Sequence, residues 1–319
     1  MTPLVSPAKP STARCRWWAV LFGAGAMAGG CGAWWWAFDL AAHFLPYQTV
    51  GLAVCATGLW WKRDRVAAAI TTLLLAGCLS FIAPYYWPRS VPTDGERVSL
   101  RVCNVFCYNT EPERVLALLR KSPTDVVVLL EVTFDWAARF QALRDVYPHM
   151  QFQPEAGSFG IGVLSQQPWT HLNHRTFGRQ QLPSLIVDFP LEGERTWQLI
   201  ATHPLPPISS FNAAARDEQL SRVSTYCAEH DGPIVVAGDL NASPWSHAFR
   251  RLCREGGLRD SSFGFGIHPT WPTYGPFAVI PIDHVLPSHE VGVAGRYVER
   301  AVGSDHRPVR AELVISVRK

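Results

Sequence analysis

The stretch Ile234-Val235-Val236-Ala237-Gly238-Asp239-Leu240-Asn241-Ala242 decides how this chain is read. A β-branched run ends on a glycine, and an acid and an amide follow two residues apart. That is the pattern of a buried strand whose tip carries Asp239 and Asn241. Residues i and i+2 of a strand point to the same side, so both groups would face one reacting centre. Ser243-Pro244 then reads as a helix start, with serine as the N-cap and proline in the first helical position. A strand, a loop and a capped helix presenting an acid and an amide suit a catalytic mouth, and an ordinary turn is the competing reading.

The same motif recurs on both sides of this strand. Residues 98–104 alternate and end on Asn104, and Thr110 and Pro112 open a helix through Arg120. Residues 125–131 (DVVVLLE) form a continuous apolar run, the mark of a fully buried strand, and end on Glu131. A second helix is expected over 133–143. Strands are expected over 161–164, 185–189 and 197–203, the last two joined by a turn at 191–194. Residues 211–229 read as a helix with one charged face, and the Ser243-capped helix ends at Gly256-Gly257. Strands over 282–286 and 309–317 close the chain. Polar groups thus end strand after strand: Asn104, Glu131, His203, Asp239 with Asn241, Asp283, and Asp305 with His306. Buried acids and imidazoles are unfavourable unless paired or metal-bound, so their recurrence at strand ends points to one shared pocket. Strand–helix alternation alone fits a doubly wound sheet as well as a sandwich.

The N-terminal part has a different character. Residues 17–38, 44–61 and 66–83 contain no charge, and each is near the length that spans a bilayer as a helix. Trp17, Trp18, Trp34, Trp35, Trp36, Trp60, Trp61, Tyr85, Tyr86 and Trp87 crowd their ends, as in an interfacial aromatic belt. Three transmembrane helices are therefore expected over 17–83, after a tail over 1–16 and before a Pro-rich linker over 84–97. Lys9, Arg14 and Arg16 precede the first stretch, and Lys62, Arg63 and Arg65 separate the second from the third. The positive-inside rule then places the tail in the cytoplasm and residues 98–319 on the outer side. Buried soluble helices and a cleaved leader ending near Ala28-Gly29-Gly30-Cys31 are the alternatives.

Charge follows the same division. The 319 residues carry a net +3, but residues up to 83 hold six Lys/Arg and two acids, leaving 23 of the 29 basic and 24 of the 26 acidic residues beyond. The outer part has no overall basic footprint of the kind that neutralises many phosphates. No CxxC or Cys/His zinc spacing occurs among the eight cysteines. Cys103 and Cys107 have strand parity and are expected on one face, as small buried hydrophobes in preference to a disulfide.

Taken in order, the motifs Arg101-Val102-Cys103-Asn104-Val105, Leu129-Leu130-Glu131, Thr202-His203-Pro204, Gly238-Asp239-Leu240-Asn241, Ile282-Asp283-His284 and Gly303-Ser304-Asp305-His306-Arg307-Pro308 resemble the endonuclease/exonuclease/phosphatase superfamily over residues 98–317. The resemblance implies an α/β (α+β) four-layer sandwich, with two mixed β-sheets packed face to face and helices outside. It implies a divalent cation, Mg²⁺ or Mn²⁺, at Glu131, with Asn104 and Asp305 in the same cluster; oxygen ligands suit such hard ions. It further implies that Asp239 orients the attacking water and that Asn241 steadies the phosphoryl oxygens. His203 would stand near the scissile phosphate, Asp283 would hold an imidazole in position, and His306 would contact phosphate. His247, His268 and His284 read as structural; Arg216, on the helix after the His203 loop, could reach phosphate but reads first as a surface ion-pair partner. Phe106 stands where abasic-site nucleases place an acid, and His203-Pro204-Leu205-Pro206-Pro207 replaces a tyrosine-centred motif of that branch; both departures weaken a DNA-repair reading.

Two activities and one inert role compete. The first is a membrane-anchored phosphoesterase acting outside the cytoplasm, with lipid-linked phosphates as natural substrates. The second is an extracytoplasmic nuclease acting on DNA or RNA. The third is a scaffold that has kept the fold and lost the chemistry, against which the intact set of acids, amides and imidazoles argues.

Overall fold

The computed structural model describes residues 12–91, 94–275 and 279–316. The chain divides into two units, Met1–Pro84 and Tyr85–Lys319. The first eleven residues of the expected tail, positions 92 and 93 of the expected linker and the Val317 end of the last expected strand lie outside the described residues.

The first unit contains α1 (Ala13–Gly30), α2 (Trp36–Ala42), α3 (Leu45–Trp61) and α4 (Arg65–Ile82). The first expected crossing, over 17–38, is not one helix. Paired glycines, poor helix formers, end α1, and the chain turns before Trp35 adopts an extended conformation ahead of α2. α3 has 17 residues, about 26 Å at 1.5 Å per residue, and is short for a full crossing. Among the described residues α4, continued to Tyr85, is the one helix long and apolar enough to cross a bilayer by length and composition. The three expected crossings are therefore reduced to one by this measure. Val50, Val54, Val66, Ile70 and Leu73 point outward, while Ala19, Cys55, Leu59 and Ala68 pack inward.

The second unit runs β1 (Glu96–Asn104), α5 (Pro112–Lys121), β2 (Val126–Leu130), α6 (Phe134–Phe140), β3 (His149–Gln153), β4 (Ile161–Ser165), β5 (His171–Thr176), β6 (Pro183–Pro190), β7 (Thr196–Thr202), α7 (Ser210–Ala228), β8 (Ile234–Asp239), α8 (His247–Glu255), β9 (Asp283–Pro287), β10 (Val291–Val298) and β11 (Val309–Ile315). One sheet has the order β10-β11-β1-β2-β4-β3 and the other β5-β6-β7-β8-β9. Among the described residues only β1 with β2 and β7 with β8 are parallel, so both sheets are mixed.

Period-2 burial sorts the side chains into layers. Leu100, Val102, Val128 and Leu130 of one sheet meet Val187, Leu199, Val235 and Ala237 of the other in the central core. Their alternates turn outward: Cys103, Val127 and Leu129 pack under α5 and α6 with Val115, Leu119, Trp136 and Phe140. Ile200, Val236 and Leu286 pack under α7 and α8 with Leu220, Val223, Phe249 and Leu252. The result is the expected four-layer sandwich.

Register then brings the strand tips to one pole. Asn104 pairs with Leu130, Ala201 with Ala237, and Asp239 with Asp283. Glu131 and His203 follow directly on the ends of β2 and β7.

Two local expectations are corrected. The N-cap of α8 is Ser246, whose hydroxyl accepts from the Phe249 amide, and Ser243-Pro244 instead begins the turn one step earlier. Cys103 lies in β1 but Cys107 lies beyond it, so strand parity does not relate them. Cys103 is fully enclosed, its thiol pushed up to about 12 by burial, and both cysteines are free.

Candidate active site

The site begins with a close approach of two strands. Gly238 has φ +158°, and a Cβ there would lie 1.9 Å from the Thr202 carbonyl oxygen. Glycine alone lets β8 approach β7 this closely, one residue before His203 and one before Asp239. Glu131 and Asn241 follow their strands at φ +60° and +48°, a conformation that favours glycine and disfavours other residues. Strand parity is therefore not what unites Asp239 with Asn241. The chain folds back instead, and the Asn241 amide donates to Asp239 Oδ1 at 2.9 Å.

The polar side chains interlock. Asn104 Nδ2 donates to Glu131 Oε1 at 3.0 Å and to Asp239 Oδ2 at 3.3 Å, while its Oδ1 accepts from the Phe106 amide. Asn104 thus clamps two carboxylates as a donor, with its oxygen turned to the backbone. Glu131 Oε2 accepts from the Cys107 amide at 3.0 Å. Asp239 Oδ2 faces two imidazoles, His203 Nε2 at 3.5 Å and His306 Nε2 at 3.6 Å. His306 Nδ1 is bonded to Asp283 Oδ2 at 2.9 Å, which fixes the ring and leaves Nε2 toward the centre. Asn241 Nδ2 lies 3.4 Å from His203 Nε2 and donates to the Pro204 carbonyl at 3.0 Å. All eight residues expected at the site stand at this pole. Asn104, Glu131, His203, Asp239, Asp283 and His306 are buried, and Asn241 and Asp305 are half-buried.

Electrostatics follow from that packing. Burial alone would lower the His306 imidazole, but the Asp283 and Asp239 carboxylates outweigh it and hold the ring well above its ordinary range. His203 is raised in the same way, burial being overcome by Asp239. Burial would raise Asp239, yet the two imidazoles bring it below the usual carboxylate range. Asp305 is raised, first by burial and only partly countered by His306.

The donor set fits a hard cation. Asp305 takes the Trp271 indole N–H on Oδ2 at 3.1 Å, while its buried Oδ1 has no hydrogen-bond partner among the described residues. That orphan oxygen and the Glu131 carboxylate are oxygen ligands of the kind Mg²⁺ and Mn²⁺ use. Asp239, Asp283 and His306 also bring ligand atoms within 4.8 Å of one another. Asp283 holds His306 through Oδ2, while its Oδ1, like that of Asp305, has no hydrogen-bond partner among the described residues, so both clusters offer oxygen to a cation.

Several supporting residues carry no signal in a single-residue reading. Ser304 Oγ donates to the Asn104 carbonyl at 2.7 Å and accepts from the His306 amide at 3.0 Å. Thr270 Oγ1 accepts from the Ile282 and Asp283 amides. The ring of Phe159 lies 5.4 Å from that of His203. Arg216, expected on the surface, is buried in α7 and donates to the Asn241 carbonyl at 3.1 Å. His284 is structural as expected: it is buried, its Nε2 bonded to the Ala242 carbonyl at 2.9 Å.

Comparison with known proteins places this geometry. Residues 102–306 match the endonuclease/exonuclease/phosphatase family. A UPF0294 protein of Erwinia tasmaniensis is 28% identical over 147 residues, 43% of this chain and about half, 48%, of that protein's length. Among solved structures, an endonuclease/exonuclease/phosphatase from Beutenbergia cavernae superposes with a TM-score of 0.56 at 23% identity, over 69% of this chain and 72% of its own. The 3′ phosphatase NExo from Neisseria, bound to a product DNA hairpin, superposes at 0.55 with 19% identity, over 67% and 98%. Sphingomyelinase C from Streptomyces griseocarneus superposes at 0.51 with 17% identity, over 68% and 99%. At these identities the superpositions establish the fold.

Proposed function

Because this chain belongs to the endonuclease/exonuclease/phosphatase family, whose members are metal-dependent hydrolases of phosphoester bonds, we propose that it is a membrane-tethered phosphoesterase whose catalytic unit works outside the cytoplasm on lipid-linked phosphates. The observation that carries the hydrolytic reading is the meeting of Asn104, Glu131, His203, Asp239, Asp283 and His306, drawn from the ends of separate strands, around one buried centre.

The chemistry follows from the geometry. A phosphoester repels an attacking hydroxide, so its charge must be neutralised as the transition state forms. A divalent cation held by Glu131 and Asp305 supplies that neutralisation when bound. Asp239 aims the water, its Oδ2 held between Asn104 and the two imidazoles. Asn241, held by the Pro204 carbonyl, and His203 stand side by side with Nδ2 and Nε2 3.4 Å apart, and would present donors to the phosphoryl oxygens. Asp283 keeps His306 oriented and charged, so that Nε2–H meets the phosphate or the leaving oxygen.

The test is hydrolysis of bis(p-nitrophenyl) phosphate with Mg²⁺ or Mn²⁺. Glu131→Gln and His306→Ala are each expected to lower kcat/KM by about 10²-fold or more. Wild-type rates in both variants would refute the site. DNA, RNA and phospholipid substrates in the same assay separate the lipid reading from a nuclease, the alternative suggested by a DNA-bound structural neighbour.

The tether reading rests on α4. Lys62, Arg63 and Arg65 lie at its N-terminal end, and the positive-inside rule keeps that end in the cytoplasm, with residues from Tyr85 onward outside. A phosphatase reporter fused after Ser90 is expected to be active only outside the cytoplasmic membrane; activity inside would reverse the orientation.

A further inference from the structure

The loops at the catalytic pole carry an unusual surface. Tyr108, Phe134, Ile208, Phe211 and Tyr274 are each 64–77% exposed. They follow β1, begin α6, follow β7 and precede β9, so each stands beside a strand end that supplies a site residue. Their loops are tied together. The Phe106 and Tyr108 rings meet at 5.7 Å, and the Trp136 indole donates to the Phe106 carbonyl, joining this loop to α6. Asn109 Nδ2 reaches the Val302 carbonyl, and Thr273 Oγ1 donates to the Ser304 carbonyl at 3.0 Å. Phe159, against His203, continues the apolar lining to the centre. Exposed large apolar side chains set singly over a surface are ordinary, but a ring of them around a polar mouth marks an interaction site.

We propose that these side chains form an apolar collar that seats the catalytic mouth on a phospholipid bilayer, from which a lipid-borne phosphoester is drawn. The proposal rests on the phosphoesterase reading and adds the surface by which the site would reach a lipid substrate.

Two observations select a bilayer over a nucleic acid. The tip loops carry no lysine; their arginines are Arg179 in the β5–β6 loop, which pairs with Glu218, and Arg300 and Arg307 in the last loop, while Arg259 of the loop before β9 lies at the far end of that strand. A single-stranded nucleic acid stacks on aromatic residues too, but it needs a basic track for its phosphates. Tyr, Phe and Ile without such a track suit the boundary of a zwitterionic bilayer. The second observation is where the catalytic unit begins. Only Ala83 and Pro84 separate α4 from Tyr85. Tyr85 is buried against Trp245, in the loop that follows Asp239, with ring centroids 5.9 Å apart. Tyr86 and Trp87, next in the chain, are exposed in their turn. The catalytic unit therefore begins, two residues after an apolar helix in sequence, beside the loop that leaves the catalytic strand.

The test uses the full chain in phosphatidylcholine nanodiscs and in amphipol, which offers no bilayer plane, with hydrogen exchange followed over 105–111 and 204–211. Exchange is expected to slow at least fivefold in nanodiscs, and a Tyr108→Ser/Ile208→Ser/Phe211→Ser variant is expected to lose that protection. Bis(p-nitrophenyl) phosphate turnover should stay within about twofold in the variant, which shows that its site is intact. Equal exchange in the two settings, or protection by a single-stranded oligonucleotide in place of the bilayer, would overturn the proposal. Absence of turnover in the wild type would instead refute the phosphoesterase reading and leave the docking result standing.

Discussion

Arg216 lies almost wholly inside the protein, yet its guanidinium reaches the backbone of the Asn241 turn. On the proposed mechanism it is a positioning residue, acting on the amide expected to meet the phosphoryl group. Arg216→Met should therefore lower kcat by about tenfold with a small change in KM, and reduce stability by about 1–3 kcal/mol through the carbonyl left without its donor. Steady-state kinetics and urea unfolding read the two effects separately. His284 offers a stability prediction with a defined sign. Burial pushes its imidazole below the ordinary value, so the folded state resists a proton that the unfolded chain accepts. The stability linked to it is present above about pH 6.5 and is lost as the pH falls, by at most about 1.4 kcal/mol per pH unit. His284→Gln, which can still donate to the Ala242 carbonyl, should flatten that acid limb in unfolding measured between pH 5 and 7. That Asp239, Asp283 and His306 share one pocket was legible in the residues, because chemistry-bearing types at strand ends are rare by chance; a role for each came only with the family resemblance. Arg216 was not: a charged residue among others on a helix reads as solvated until the helix is docked and its face is known.

At the scale of elements, the strands that sequence reading missed are informative. β3, β5 and β10 are all sheet edges. Edge strands bury little and carry polar residues, so β5 (HLNHRT) shows neither clean alternation nor an apolar run. The central strands β2 and β8 are buried at every position and stand out as β-branched runs, while β1 shows by its alternation. The cap of α8 was misplaced by three residues because Ser243-Pro244 and Ser246 both satisfy the local rule, and only the hydrogen bond to Phe249 decides between them. The β7–β8 pairing is the element contact on which the site depends most. Gly238→Ala would drive a methyl group into the Thr202 carbonyl, and the expected result is a loss of more than about 3 kcal/mol, or no soluble fold, read by thermal unfolding. Retention of wild-type stability would mean that the strands separate more readily than their register suggests.

For the whole molecule, the buried carboxylates make stability answer to a cation. Glu131, Asp239 and Asp305 converge at one pole, so an ion bound only by the folded state stabilises it by mass action. At a hundredfold excess over Kd the gain is about 2.7 kcal/mol. Mn²⁺ or Mg²⁺ should raise the melting temperature of the wild type by several degrees and leave that of Glu131→Gln nearly unchanged. The number of helices of bilayer-spanning length was the least legible feature of the molecule. Hydropathy registers apolar length, whereas helix continuity turns on the glycines that end α1.

The bond from Ser304 to the Asn104 carbonyl spans 200 positions in sequence, and His306 rests on the same hydroxyl. A ribosome has therefore to release the chain past His306 before this centre can assemble. Chains halted by a stop codon ahead of Ser304 would emerge chemically silent.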